Sequence, residues 1–358
     1  MALQFYKLKV KELKKETSDA VSIRFEIPSE VKHIFNYKHG QYLTIRFFIN
    51  GKDERRSYSI SSCPVIDESP TVTVKAVVGG VVSNYITDKV KVGDEIDVMP
   101  PLGNFTIDLN ENNDKTYFLI GAGSGVTPLI SIIRTILEIE KNSKVYFVYV
   151  NRSEDSIIFY QKLIEIKNKF FDRFTLNHVL TQPTPNWPGN KGRLDKNRII
   201  ELINKFIPNE KLISEYFLCG PSGLMQESLA ALQTLNVNNS KIHKETFIID
   251  LEENKPKKEH TTQDNGNIDS LKVVLYGEEH TIKIAKDETI LVAGMRAGID
   301  PPFSCQIGAC STCRAKVISG QVRMEDDDAL TEGEIQQGYV LTCTSHPLTN
   351  DVLVSYDD

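Results

Sequence analysis

Four cysteines near the C-terminus have a spacing that suits an iron–sulfur cluster. Cys305, Cys310 and Cys313 follow the pattern C-x4-C-x2-C, and 29 residues separate Cys313 from Cys343. This is the plant-type ligand spacing of a 2Fe–2S cluster, which is held by four cysteine thiolates. Such a cluster transfers single electrons. The rest of the sequence must therefore provide a source of electrons and a route to an acceptor.

A four-cysteine zinc site is the main alternative for these residues. Structural zinc sites usually combine two C-x2–4-C pairs, whereas Cys343 has no second cysteine near it in the sequence. Small residues between the first three cysteines, such as Gly308 and Ala309, would let backbone N–H groups turn towards the sulfurs. A disulfide framework is not expected in a chain with six cysteines among 358 residues and no secretory signal. The spacing therefore favours the cluster.

A glycine-rich segment in the middle of the chain has the composition of a phosphate-binding turn. Gly121-Ala-Gly-Ser-Gly-Val-Thr-Pro128 lies between an apolar run and an amphipathic one. Glycines there let the backbone approach a pyrophosphate, and a helix N-terminus offers it unpaired N–H groups. The next apolar run ends at Asn151-Arg152-Ser153. An arginine at that place could bind a 2′-phosphate and favour NADPH over NADH; an ordinary surface arginine is the alternative.

Two other segments could contact a planar cofactor. In Arg55-Arg56-Ser57-Tyr58-Ser59, arginine could bind phosphate, tyrosine could stack on a ring and serine could donate a hydrogen bond. A plain hairpin loop would explain the same residues. Cys219-Gly220-Pro221 closes a later apolar run, at the sheet edge where open α/β sheets bind ligands. Cys219 is therefore either a nicotinamide contact or a small buried side chain.

Length and charge limit the classes of protein that this chain can represent. With 358 residues, 40% hydrophobic and 25% charged, the chain is expected to form two or three globular domains. No segment approaches the ~20 apolar residues of a membrane span, so the cytoplasm is the expected compartment.

From Leu271 onward there are 7 Lys and Arg against 14 Asp and Glu. This acidic part, which includes the run 325–328, is either a solvated face or a surface that steers towards a basic acceptor; it argues against nucleic acid as a partner.

The elements that must position these residues fall into distinct patterns. Residues 1–110 contain short alternating runs, such as Tyr42–Phe47 and Thr71–Val78, which indicate an antiparallel barrel or sandwich. Residues 111–249 alternate apolar strands with amphipathic helices, which is typical of a doubly wound parallel sheet. The helices are expected at Pro128–Leu137, Ser156–Ile164 and Ser222–Leu235.

The last part of the chain begins after a polar segment. Residues 250–270 contain almost no apolar side chains and predict a linker. Residues 271–358 then form the cluster domain, with a hairpin made by Leu271–Gly277 and His280–Ile284. A short helix is expected at Thr289–Gly298.

Taken in chain order, these motifs resemble the ferredoxin–NADP reductase superfamily. Arg56-Ser-Tyr58-Ser59 is similar to the flavin-binding R-x-Y-S motif of this superfamily. The segment from Gly79 to Tyr85 is similar to the segment that wraps the FAD pyrophosphate. The resemblance implies an FAD-binding antiparallel β-barrel, an NAD(P)-binding α/β domain and a β-grasp ferredoxin domain. The cofactor-binding residues that it implies are Arg56, Tyr58, Ser59, Gly80, Val82, Ser83, Gly121, Gly123, Gly125, Thr127, Arg152, Ser153, Gly220 and Phe247.

The resemblance also implies a mechanism. Ser59, Cys219 and Glu245 would line the path of a hydride from NADPH (or NADH) to FAD, with Glu245 as a proton relay. FAD would then pass electrons singly to a 2Fe–2S cluster on the four cysteines, at a low potential of about −400 mV. The linker would let the cluster domain move between the flavin and its acceptor, or the arrangement would be fixed. Cys63 has no counterpart among the functional residues of the family and is expected to be structural.

A reductase followed by a ferredoxin is the order found in oxygenase-type reductases. The segment Asn151-Arg152-Ser153 with Phe159 is similar to the reductase subunits of phenylacetyl-CoA epoxidases. The implied partner is an oxygenase component that accepts electrons, here the diiron enzyme that epoxidises the phenylacetyl-CoA ring. The alternatives are a reductase for another oxygenase, hydroxylase or desaturase, and a non-catalytic ferredoxin-like carrier or redox module.

Overall fold

The computed structural model describes residues 4–247, 268–327 and 329–358, so the predicted linker lies almost entirely outside the described residues. The described chain forms three large sheets that follow one another in sequence, together with a small two-stranded sheet in the last part. None of the helices in these residues has the length and apolar character that a membrane crossing requires.

The first sheet is antiparallel and has six strands in the order β4-β3-β6-β1-β2-β5. A bridge between Ile60 and Val72 joins its two edges, which closes the sheet into a barrel around an apolar core. One helix, α1, packs against β4 and β5. The elements are β1 Tyr6–Thr17, β2 Ala20–Glu26, β3 Tyr42–Ile49, β4 Lys52–Ser59, β5 Thr71–Lys75, α1 Val81–Lys89 and β6 Glu95–Val98.

The second sheet is parallel, with the strand order β10-β9-β8-β7-β11-β12 and apolar clusters on both faces. The strand order reverses between β7 and β11, and the carboxyl ends at such a switch point are where α/β sheets bind ligands. The elements are β7 Thr116–Ala122, α2 Val126–Ile139, β8 Lys144–Asn151, α3 Tyr160–Lys169, β9 Phe174–Leu180, β10 Asn190–Lys191, α4 Lys196–Phe206, β11 Glu215–Gly220, α5 Ser222–Thr234 and β12 Ile242–Thr246.

The third unit is an α+β ferredoxin domain whose mixed sheet has the order β14-β13-β19-β15-β17, with β16 and β18 paired separately. Its hairpin and its first helix lie where the sequence predicts them. The elements are β13 Ser270–Leu275, β14 Glu278–Lys283, α6 Ile290–Arg296, β15 Arg314–Ser319, β16 Val322–Met324, α7 Glu332–Gln336, β17 Tyr339–Leu341, β18 Ser345–Pro347 and β19 Leu353–Ser355.

The three predicted fold classes are confirmed, but one predicted helix is wrong at its start. The expected helix Ser156–Ile164 begins only at Tyr160. Glu154–Ser156 is a single 3-10 turn, and Phe159 has a φ of +63°, a left-handed conformation that a helix cannot continue through.

Candidate functional site

The three residues predicted to line a hydride path lie together in the structure. Ser59 ends β4, and its hydroxyl donates a hydrogen bond to Glu245 Oε2 at 3.1 Å. Glu245 lies on β12, where it is the register partner of Cys219 on β11. Residues from the barrel and from two neighbouring parallel strands therefore meet at one point, although 186 positions separate Ser59 from Glu245 in sequence.

Burial controls the charge of this group of residues. It raises the pKa of Glu245 from its ordinary value of 4.5 to about 8, and the hydrogen bond from Ser59 offsets only part of the effect. Burial also raises the pKa of the Cys219 thiol well above its usual range, and the nearby Glu245 carboxyl adds to the increase. Both side chains are therefore uncharged at neutral pH, and the Glu245 carboxyl can hold a proton and release it.

The residues predicted to bind FAD surround the N-terminus of α1 and the adjacent strand. Gly80 is the N-cap of α1 and supplies no side-chain cap, so the first-turn N–H groups around the buried residues Val82 and Ser83 are available to an anion. Arg56, which ion-pairs with Glu54 at 3.3 Å, is on β4 and is exposed. An uncapped helix N-terminus and an exposed arginine on a strand against which that helix packs fit a pyrophosphate.

Tyr58 directly precedes Ser59 on β4 and is partly buried. Its cross-strand partner is Leu43, in the barrel core. The ring is thus held by packing on the same strand as Arg56, which places an aromatic surface and a guanidinium close to each other. This arrangement fits a planar ring and its phosphate tail.

The glycine-rich turn lies at the switch point of the parallel sheet. Gly123–Gly125 forms one 3-10 turn between β7 and α2. A Cβ on Gly125 would lie 2.3 Å from the carbonyl oxygen of Cys219, so only glycine permits this close packing of the two turns. Thr127 Oγ1 donates to the Ser124 carbonyl at 3.0 Å and fixes the turn. The N-terminus of α2 has no side-chain cap, which fits an anionic ligand.

The other residues predicted to bind the nicotinamide nucleotide lie at the same edge of the sheet. Gly121 is in β7 and Gly220 ends β11, directly beside the turn. Arg152 and Ser153 follow β8, which is separated from β11 by β7. Arg152 is exposed, whereas the backbone and side chain of Ser153 cap the next 3-10 turn. The structure thus leaves the Arg152 guanidinium at the ligand-binding edge but does not place it near Ser59 and Glu245.

The four spaced cysteines are close together in the ferredoxin domain. The Cys305 thiol interacts with the thiols of Cys310 and Cys343, and the Cys343 thiol also interacts with that of Cys313. All six cysteines of the chain are unbridged. The N–H of Gly308, whose φ is +77°, donates to Cys343 Sγ at 3.3 Å. A backbone donor on a sulfur is a feature that tunes iron–sulfur centres.

Within the described residues, no group of three or more His, Cys, Asp or Glu side chains converges on the position of a single metal ion. The assignment of the four cysteines to a 2Fe–2S cluster therefore rests on their spacing in the sequence and stays a prediction.

The three units meet at a cavity of about 450 Å³. Tyr42 and Phe105 line it from the barrel, Glu245 from β12, and Ile307 and Cys310 from the cluster loop, which we define as residues 300–313. Phe247 also lines this cavity. The cavity therefore lies between the Ser59–Glu245 pair and the cysteines.

Comparisons with known proteins agree with this arrangement. Models of the oxidoreductase FAD-binding domain, the oxidoreductase NAD-binding domain and the 2Fe-2S iron-sulfur cluster binding domain match residues 7–107, 119–229 and 273–348. The chain is 35% identical to a subunit of the 1,2-phenylacetyl-CoA epoxidase of Escherichia coli (strain K12), over 99% of this chain and 98% of that protein. This chain belongs to the oxygenase-type reductases of the ferredoxin–NADP reductase superfamily.

Other members of the family are similar to this reductase over comparable lengths. The ferredoxin reductase component of 3-ketosteroid-9-alpha-monooxygenase from Rhodococcus rhodochrous is 33% identical over 98% of this chain and 96% of that protein. The solved structure of phthalate dioxygenase reductase has the same fold, with a TM-score of 0.58, 20% identity and 98% coverage of both chains.

The predicted activity and cofactors of this oxygenase-type reductase are confirmed by these findings. It is an NAD(P)H-dependent oxidoreductase, and its cofactors are FAD, NAD(P)H and a 2Fe–2S cluster. The assignment of individual residues to these cofactors stays a prediction, which the geometry described above fits.

Sequence reasoning missed the residues that join the cluster loop to the barrel of the reductase. Tyr42 and Thr44 on β3 contact Thr312, and Arg55 on β4 contacts Asp300. Contacts of this kind depend on how two separate units pack, which the sequence does not show. Arg55, the second arginine beside the predicted flavin motif, was the only feature of the sequence that pointed to them.

Proposed function

We propose that this reductase takes electrons from NADPH and delivers them to the oxygenase component of a phenylacetyl-CoA epoxidase. The 35% identity to a subunit of such an enzyme, over nearly the whole of both chains, carries the proposal. The described residues supply what the transfer requires: two uncapped helix N-termini for nucleotides, an uncharged site at Ser59 and Glu245, and a four-cysteine centre beyond one cavity. We place the reaction in the cytoplasm, where cysteine thiols stay reduced.

The chain's own residues have separate tasks in this proposal. Arg56 and the first turn of α1 neutralise the FAD pyrophosphate, while Tyr58 covers the ring. Ser59 and Cys219 exclude water beside the nicotinamide, and Glu245 holds a proton close to the reacting ring. Bound FAD supplies the conversion between the electron pair of a nicotinamide and the single electrons of a cluster.

The four cysteines form the exit of this route. Cys305, Cys310 and Cys313 lie on the cluster loop, and Cys343 lies between β17 and β18. Backbone N–H groups of the loop face the sulfurs, as the contact from Gly308 to Cys343 illustrates. The ferredoxin domain carries the excess of acidic residues, including Glu325, Asp326 and Asp327. We propose that this acidic surface steers the domain towards a basic surface on the oxygenase.

NADPH is the proposed donor because Arg152 is exposed at the end of β8. A guanidinium at this position can bind a 2′-phosphate, which NADH lacks. No acidic side chain replaces it in the segment Asn151-Arg152-Ser153 to bind a free ribose hydroxyl.

A second acceptor is favoured by one observation. The reductase component of 3-ketosteroid-9-alpha-monooxygenase is 33% identical over almost the same length, only slightly less than the epoxidase subunit. Electron delivery to a different oxygenase is therefore the alternative to test.

The test is reconstitution with purified oxygenase components. The reductase is mixed with NADPH and either the phenylacetyl-CoA epoxidase oxygenase or the 3-ketosteroid-9-alpha-monooxygenase oxygenase, each with its own substrate, and product is measured. We expect product with the first and little with the second. Product only with the second would overturn the epoxidase assignment. Ferricyanide serves as an acceptor that needs no partner; if it too accepts nothing from NADPH, the chain is a carrier rather than a reductase.

A further inference from the structure

The cluster loop packs on one face of β3 and β4, and β4 carries the residues predicted to bind the flavin. Side chains on β3 and β4 that are paired across the strands point to the same side, since cross-strand partners share a face. Tyr42 is the partner of Ser59, and Thr44 is the partner of Ser57. The face that carries Ser59 therefore continues without interruption to the residues that meet the cluster loop.

Hydroxyl groups hold the loop near its cysteines. Ser57 donates to Ser304 at 2.9 Å, next to Cys305 in sequence. The hydroxyl of Tyr42 lies 3.1 Å from that of Thr312, and Thr44 lies 3.3 Å from the same hydroxyl. Thr312 stands between Cys310 and Cys313 in sequence, so both ends of the ligand-bearing segment are fixed to the barrel.

Further along the same face, two arginines stand opposite each other. Arg46 on β3 and Arg55 on β4 are direct cross-strand partners, a placement that is unfavourable for like charges. Each has an acid of its own domain, Asp97 at 2.9 Å and Asp53 at 2.7 Å. Asp300 of the cluster loop adds a third acid, 2.6 Å from Arg55 and 3.8 Å from Arg46. The arginine pair thus forms a receptor for one carboxylate of the ferredoxin domain.

Arg55 makes more of this contact than a surface ion pair would. Its side chain is only 2% exposed, its Nη1 donates to the Pro301 carbonyl at 3.4 Å, and its guanidinium lies 4.0 Å above the ring of Phe303. These contacts cover the chain from Asp300 to Phe303, two residues before Cys305. Arg55 therefore contacts the segment that directly precedes Cys305, the first of the predicted cluster ligands.

We propose that Arg46, Arg55 and Asp300 form a docking clamp that positions the cluster loop on the flavin-binding strand for electron transfer within the chain. Because the Asp300 side chain is 57% exposed, its ion pairs are screened by salt, which weakens the clamp. Arg55 is a positioning residue: it acts through the loop it holds. The inference rests on the electron route through this chain and on the four cysteines holding the cluster, and it does not depend on which oxygenase is the acceptor.

The experiment compares Asp300→Asn with Asp351→Asn, which changes an exposed acid of the same domain outside the clamp. Three measurements are made on the holoproteins at low salt: NADPH-dependent ferricyanide reduction, the rate at which cluster absorption bleaches after mixing with NADPH, and hydrogen exchange in residues 300–313. For Asp300→Asn we expect unchanged ferricyanide reduction, cluster bleaching at least tenfold slower and faster exchange in the loop. Asp351→Asn should match the wild type in all three.

Salt and a second variant make the test specific to the clamp. Raising the salt concentration should slow cluster bleaching in the wild type but hardly change it in Asp300→Asn. Arg55→Gln should slow bleaching at least as much, because it also removes the contacts with Pro301 and Phe303. The slowing in the double variant should be smaller than the product of the two single effects, because both substitutions remove the ion pair between Arg55 and Asp300. Equal bleaching rates in the wild type and Asp300→Asn, or equal slowing by Asp351→Asn, would overturn the proposal. The cluster spectrum of each variant and its ferricyanide reduction show separately whether the ligand set and the nucleotide sites are intact.

Discussion

At the scale of single residues, Glu245 decides the charge of the site near neutral pH. Its pKa is raised to about 8, so the carboxyl is protonated at pH 7 and mostly ionised at pH 9. The folded protein disfavours the ionised form. The contribution of this carboxyl to the free energy of unfolding is therefore fully present below its ordinary pKa of 4.5 and is lost as the pH rises to about 8.

The variant Glu245→Gln removes this titration. Because glutamine stays neutral, we expect the melting temperature of the variant holoprotein to fall less between pH 6 and pH 9 than that of the wild type, by at least about 4 °C. Calorimetry at the two pH values measures the difference. Glu278→Gln, at an exposed glutamate on β14, should follow the wild type. Parallel changes in the wild type and Glu245→Gln would show that Glu245 does not titrate in this range.

Arg152 tests the choice of nucleotide. Arg152→Ala should raise KM for NADPH about tenfold, the cost of one charge-assisted contact of ~1.4 kcal/mol, and leave KM for NADH nearly unchanged. Steady-state ferricyanide reduction with each nucleotide measures both constants. Arg24→Ala, which alters an arginine of the barrel, should change neither. An equal effect of Arg152→Ala on both nucleotides would exclude a contact with the 2′-phosphate.

At the scale of elements, the turns after β7 and β11 are packed so closely that one position accepts only glycine. A Cβ at Gly125 would lie 2.3 Å from a backbone oxygen of Cys219, which no side-chain rearrangement can relieve. Gly125→Ala should therefore push the two turns apart. We expect a loss of about 1–3 kcal/mol in stability and a raised KM for both nicotinamide nucleotides.

Gly223→Ala is the matched control for this substitution. Its Cβ would have no heavy atom within 4 Å, and alanine is the better residue inside α5. We expect unchanged KM values and a melting temperature equal to or above that of the wild type. If Gly125→Ala behaves like Gly223→Ala, the turns are not held together as the structure describes.

The sequence predicts the parallel sheet well because its three central strands, β8, β7 and β11, each contain a continuous apolar run. It predicts α1 poorly. This helix contains the β-branched residues Val81, Val82, Ile86 and Thr87, whose helix propensity is low, and it is stabilised by packing against β4 and β5. α3 begins later than predicted because Phe159 has a left-handed backbone conformation, which the sequence around Phe159 does not predict.

The candidate site also contains parts that the sequence predicts and parts that it does not. Cysteines and glycine-rich turns are predictable because a cluster or a pyrophosphate demands those residue types at fixed spacings. The contacts of Asp300 and Tyr42 are not, because they depend on the register between β3 and β4 and on the packing of a distant domain.

At the scale of the whole molecule, residues of β3, of β12 and of the cluster loop line one cavity. Ser59 and Glu245, more than 180 positions apart in sequence, are in contact, and β4 bears the predicted flavin residues together with Ser57, which contacts the cluster loop. The step from Ser57, which touches the loop, to Ser59 is two residues, or about 7 Å of strand. A short separation between the predicted flavin site and the cluster loop follows from the contact of both with one strand.

This arrangement predicts that electrons reach artificial acceptors at two distinct points. Cys310→Ser removes a predicted cluster ligand but touches neither the uncapped helix N-termini nor the Ser59–Glu245 pair. We expect it to lose the cluster absorption and at least ~90% of the reduction of cytochrome c, a cluster-dependent acceptor, while ferricyanide reduction from NADPH continues at a similar rate. Cys63→Ser is the matched control, because Cys63 is buried beside Thr135, 3.5 Å away, far in sequence from the ligand set. It should keep both activities. Full cluster absorption in Cys310→Ser would refute the ligand assignment, whereas loss of both activities would show that the flavin and cluster sites are not separable in the way this architecture requires.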